Sequence, residues 1–238
     1  MAARSDAMTP PALSLFRHPS LWRAGDVSPV VPNGIPTGHA TLDAALPGRG
    51  WPIGEMTELL TDCSGQGELS LLMPLLAGAE ADGNWRLWVA PPHLPGVTAL
   101  AAAGVRTRQL IVVRADTVGE RVWAIRQALR SGVCSVVIGW LDRVDNALLR
   151  RLQLAVREAA IPLILFRPLQ QAQQASPSAL RLQLSARAAG VLRIDILKRR
   201  GAPANQPLYL QGTRFNAPSA TVATRCAAPP ALALALIA

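Results

Sequence analysis

The sequence predicts an α/β fold: a mostly parallel central sheet flanked by helices, with a C-terminal antiparallel hairpin. Three features predict it. Short apolar runs alternate with helical patterns, a glycine-containing loop joins a strand to a helix, and the pattern changes to strict alternation near the C-terminus. Parallel strands need crossover connections, and intervening helices supply them.

Taken in order, strands are expected over 57–60, 85–90, 109–113, 134–138 and 161–166. Between them, helical periodicity covers about 66–81, 95–103, 117–131 and 144–160. Runs such as Val136-Val137-Ile138 are apolar on both sides, as strands buried on both faces must be. Leu180–Arg187 and Val191–Arg199 instead alternate apolar and polar residues around Ala189-Gly190, the mark of a hairpin. Pro207 to Gln211 reads as one more short strand.

At 238 residues with 50% hydrophobic composition, the chain can bury a full core. Its three cysteines, Cys63, Cys134 and Cys226, are widely spaced with no C-x-x-C pair, so neither a disulfide framework nor a zinc site is expected. The reducing cytoplasm is the expected compartment. Apolar runs fall short of the ~18 residues of a spanning helix, and no membrane association is expected. Three regions are expected: an N-terminal arm over 1–30, a folded core over 31–215 and a C-terminal tail over 216–238.

The strand-like run Met56 to Leu60 leads into Thr61-Asp62-Cys63-Ser64-Gly65-Gln66-Gly67-Glu68 and then into an apolar helical stretch. Strand, loop and helix stand in the order of a phosphate-binding loop. In such a loop backbone wraps the phosphates, a lysine reaches the terminal ones and a hydroxyl holds magnesium. Laid on that pattern, Thr61 replaces the first glycine, Gln66 the second, Gly67 the lysine and Glu68 the hydroxyl residue. Lys198 is the sole lysine in the chain, and no arginine lies between Arg49 and Arg86.

Upstream, Thr37-Gly38, Leu42-Asp43, Ala45-Leu46, Gly50, Pro52 and Gly54 resemble the segment that precedes the phosphate loop in RecA recombinases. The resemblance covers roughly residues 30–212 and implies a RecA-like core with a degenerate nucleotide site. Under it, the catalytic glutamate falls at Pro92, the magnesium aspartate at Gly139 and the adenine-stacking aromatic near Ala99. Asp142 lies further on, within reach of the mouth of the sheet. The implied protein is a pseudo-ATPase without catalytic residues, cofactor or metal.

The formal charge is +9. Arg193, Lys198, Arg199 and Arg200 cluster towards the end of the second hairpin strand, with Arg181 on the first. In the resemblance this region follows the loop that meets single-stranded DNA, which here would be Arg167 to Ser178, a polar, glutamine-rich segment expected to be flexible. These six cations are the candidate DNA contacts. Arg143, Arg150, Arg151 and Arg157 share one predicted helix and read as its wet face, opposite Leu148, Leu152 and Val156.

The basic, aromatic stretch Leu15 to Arg23, with Trp22, precedes this degenerate core. Together they resemble the ImuA family, a RecA-like group associated with SulA-like proteins. That resemblance implies a non-catalytic accessory role in SOS-induced translesion synthesis, as an adaptor for ImuB, an inactive Y-family polymerase homologue, and an error-prone polymerase, with RecA or single-stranded DNA as further contacts. The alternative is a SulA-like division inhibitor that binds the tubulin-like division protein. Trp22 and the tail residues Leu232, Leu234 and Leu236 are candidate partner contacts, because apolar side chains on a tail are stabilised by burial against another surface.

Overall fold

The computed structural model describes residues 34–211, except 66, 79–83 and 205. The expected arm and tail, with Trp22, Leu232, Leu234 and Leu236, lie outside the described residues.

Eight strands form one mixed sheet: β1 (Met56–Thr61), β2 (Trp85–Val89), β3 (Leu110–Val113), β4 (Cys134–Trp140), β5 (Leu163–Pro168), β6 (Leu180–Ala186), β7 (Val191–Lys198) and β8 (Leu208–Gln211). Their spatial order is β3-β2-β4-β5-β1-β6-β7-β8. All pairs from β3 across to β6 are parallel, while β7 and β8 run antiparallel. The predicted hairpin is thus no appendage. Its first strand pairs in parallel with β1, Leu59 opposite Leu182, so the hairpin continues the main sheet.

Five helices accompany the sheet: α1 (Ala40–Ala45), α2 (Met73–Gly78), α3 (Val97–Ala102), α4 (Val118–Ser131) and α5 (Asn146–Ala159). Two core layers result. One face packs Trp88, Val136, Ile138, Ile164 and Phe166 against Leu42, Trp51 and the leucines around α2. The other packs Leu87, Val89, Val137, Leu163 and Leu165 against α4 and α5. Strand neighbours such as Val136 and Val137 therefore take opposite faces, which makes an unbroken apolar run the natural code for a doubly covered strand.

Local chemistry sets the helix ends. Thr117 and Glu120 form a reciprocal capping box at the start of α4, and Gly132, at φ 68°, ends it. Asp145 caps α5 by accepting from the Leu148 N–H at 2.7 Å. Arg86, wholly buried in β2, donates from Nε to the Leu76 carbonyl of α2 at 2.6 Å and from a terminal nitrogen to Gln109.

Candidate functional site

The loop after β1 occupies the place of a phosphate-binding loop, at the C-terminal end of the parallel strands. Thr61 donates its hydroxyl to the Cys63 carbonyl at 2.8 Å and turns the chain. Gly65 and Gly67 take φ of +83° and +87°, left-handed conformations that glycine adopts without strain. An anion already sits there. The Glu68 carboxylate, nearly buried, accepts from the Gly65 N–H at 2.8 Å. Sequence order puts Glu68 in the place of the hydroxyl residue; the geometry makes its carboxylate a hydrogen-bond acceptor within the loop. Gln66 lies outside the described residues.

The helix beyond the loop is also altered. It begins as a 3-10 turn over Ser70–Leu72 and passes into α2 from Met73. A first turn of 3-10 form changes how the peptide groups nearest the loop are aligned with it.

Beside the loop, Trp140 at the end of β4 stacks on Phe166 of β5, with centroids 4.9 Å apart and planes at 14°. Trp88 of β2 meets Trp140 at 5.6 Å in a tilted contact. Trp140 and Phe166 line a cleft with Thr61, Asp62, Glu68 and Asp142 of about 150 Å³, below the ~300 Å³ at which small-molecule pockets generally begin. Asp142 does reach the mouth of the sheet, where it pairs with Arg121 at 3.3 Å. Arg121, from α4, also donates to the Ala115 carbonyl at 3.0 Å.

At the positions where the resemblance expects acids, the fold places packing and turn residues. Pro92 lies exposed in the loop after β2. Gly139 lies inside β4, where an added Cβ would stand 2.7 Å from Ile125 Cδ1 and 3.2 Å from a Leu165 methyl. The Ile125 side chain of α4 fills the space that a side chain at 139 would take, so one there would have to displace it. The upstream motif is likewise structural: the Thr37 N–H donates to Asp43 at 2.8 Å, and Gly38, at φ +80°, lies against the Pro74 ring.

The segment Arg167 to Ser178, expected to be a flexible polar loop, is instead folded onto a buried charge. Its 3-10 turn spans Leu169–Gln173. Glu58, in the middle of β1, is fully buried. Its Oε1 accepts from Ser178 at 2.8 Å, from Ser176 and from Arg167 at 3.3 Å, and its Oε2 accepts from Arg181 Nε at 2.8 Å. Arg181 continues to the carbonyls of Gln171, Ala172 and Gln174. Burial pushes the Glu58 carboxyl up, but the Ser176 hydroxyl, Arg167, Arg181 and the Ser178 hydroxyl together hold it below its ordinary value. Arg167 and Arg181 are 2% and 6% exposed, so their guanidinium groups serve this network and are withdrawn from the surface.

The remaining candidate cations also have partners within the fold. Arg193 pairs with Asp195 at 2.8 Å, and Lys198 donates to the Ser176 carbonyl at 2.8 Å. Arg199 donates to the carbonyls of Ala45 and Ala202, and Arg200 pairs with Glu55. Glu55 also binds Gln153 and Arg157 of α5. No sequence signal marks these contacts, because most acceptors are backbone carbonyls. No described helix is long and apolar enough to cross a membrane.

A family described as "Cell division inhibitor SulA" matches residues 56–162, from the start of β1 to the residue before β5. A cell division inhibitor SulA of Edwardsiella piscicida is 40% identical over 90 residues, 37% of this chain and 54% of that protein. RecA of Crocosphaera subtropica is 32% identical over 123 residues, 52% of this chain and 35% of that protein. RecA of Thermus aquaticus is 32% identical over 124 residues, 52% and 36% of the two chains. The chain thus spans between about a third and about half of the length of these relatives. The crystal structure of SulA from Pseudomonas aeruginosa aligns with a TM-score of 0.40 and 24% identity, over 47% of this chain and 97% of that one. In sequence, the chain is SulA-like and RecA-like.

Proposed function

We propose that this chain is a non-catalytic protein of the DNA-damage response that acts as a SulA-like inhibitor of cell division, by binding the tubulin-like division protein in the cytoplasm. One observation carries the non-catalytic half: the loop after β1 seats its own carboxylate, Glu68, on the Gly65 N–H, a donor that a phosphate-binding loop would turn to its ligand. The SulA match over 56–162 supports the division half. The test uses the purified full chain with the purified division protein and GTP, following assembly by light scattering and sedimentation. Suppressed assembly and a soluble complex of the two proteins in sedimentation velocity are expected. Unchanged assembly with no binding would remove the proposal.

A second reading keeps the same closed site in an ImuA-like adaptor of translesion synthesis. Here residues 31–215 are a RecA-like pseudo-ATPase core, and ImuB is the partner, with RecA as a further contact. It is favoured by the sheet beyond residue 162, where β5, β6 and the intervening segment complete the Glu58 network outside the SulA-matched part. Capture of purified ImuB without any effect on the division protein would replace the first reading with this one.

A further inference from the structure

Among the described residues, five arginines without partners gather on and beside α4 and α5. Glu120 and Asp145 are engaged as helix caps, and Asp142 answers Arg121 of α4 alone. Arg126 and Arg130 on α4, and Arg143, Arg150 and Arg151 at and along α5, have no hydrogen-bond or ion-pair partner among the described residues. Glu158, on the last turn of α5, is the remaining exposed carboxylate of that helix. The two helices lie together over one face of the sheet and share its core layer.

Among these cations stands Trp123, 65% exposed, three residues before Arg126 and seven before Arg130 on the same side of α4. Leu154 of α5, 59% exposed, follows Arg150 and Arg151 at helical spacing. An indole held in water beside guanidinium groups suits a ligand with both negative charge and flat apolar faces. Phosphates would pair with the arginines, and bases would stack on Trp123 and on the guanidinium planes.

We infer that the α4–α5 face is a single-stranded nucleic-acid contact surface, independent of the division or adaptor reading, and that it replaces the β7 end as the place where this basic chain meets DNA. Recognition is sequence-tolerant, since the cations address the backbone and stacking accepts any base.

The test is fluorescence anisotropy of a labelled thirty-nucleotide oligo-dT with the full chain over a range of salt. With four phosphates neutralised, the log–log salt slope is expected at about 2.8. Arg126→Ala with Arg130→Ala, and separately Arg150→Ala with Arg151→Ala, should each lower the slope by about 1.4. Arg150→Lys with Arg151→Lys should keep it. Trp123→Ala should weaken binding about fivefold or more, with Trp123→Phe recovering much of the loss. Circular dichroism checks the fold of each variant, all of which alter solvent-facing side chains.

Three results would overturn the inference. The wild-type chain does not bind the oligonucleotide; binding falls instead with Arg193→Ala and Lys198→Ala while the helix variants bind normally; or poly-glutamate competes as well as DNA does, which would assign the face to an acidic protein.

Discussion

Arg181 Nε donates to Glu58 Oε2 at 2.8 Å, and both side chains lie almost wholly out of water. The pair joins the hairpin to the centre of the sheet, and Arg167 at 3.3 Å from the other oxygen ties in β5. A carboxylate so buried is tolerated because hydroxyl and guanidinium donors meet both of its oxygens.

Glu58→Ala is therefore expected to destabilise the chain strongly, since two buried guanidinium groups lose their counter-charge. Breaking a buried pair costs about 3–5 kcal/mol. Urea unfolding of Glu58→Ala and Arg181→Ala measures it, and a loss below about 1 kcal/mol would show that the network behaves like a surface pair.

Stability should also fall on acidification. The Glu58 carboxyl is held below its ordinary 4.5 in the folded chain, so the unfolded chain takes up a proton first. The contribution is fully present above the unfolded value and is lost as pH falls through the folded one. In Glu58→Gln the corresponding part of the pH dependence, read from urea midpoints across that window, should disappear. An identical acid slope in wild type and Glu58→Gln would contradict the assignment.

The order of strands, and of the helices after β1, was legible in the sequence because apolar runs and helical periods are local signals, while the six-residue α1 was too short to show a period. Which strand lies beside which was not. β6 shows its alternation in sequence, but its parallel pairing with β1 depends on contacts more than a hundred residues apart, such as Glu58 with Arg181. The glutamine-rich segment after Arg167 reads as flexible for the same reason: composition does not reveal that Ser176 and Ser178 point at a distant carboxylate. The departures of the loop after β1 from a phosphate-loop pattern, at Gly67 and Glu68, are legible in the sequence, while the seating of Glu68 on Gly65 is visible only in the structure.

Gly139→Ala is expected to cost about 1–3 kcal/mol by overpacking, because the new methyl meets Ile125 and Leu165. Ile125→Val in the same chain should recover part of that loss, giving a favourable coupling in a double-mutant cycle. Strict additivity in thermal or urea unfolding would mean that α4 does not set the identity of this position.

The aromatic stack beside the loop should report on the cleft. Phe166→Leu removes the ring under Trp140 and is expected to destabilise by about 0.5–1.5 kcal/mol beyond the lost area. It should also change the indole emission contributed by Trp140, which stacks on that ring. Unchanged emission and stability together would contradict the stacked geometry.

Nucleotide binding tests the central claim most directly. Isothermal titration of the purified full chain with ATP, with and without magnesium, should show no magnesium-dependent binding, and Gly67→Lys should not create turnover, because Glu68 still holds the Gly65 N–H. Saturable magnesium-dependent ATP binding by the wild-type chain, abolished by substitutions within residues 61–68, would contradict a site closed by its own carboxylate.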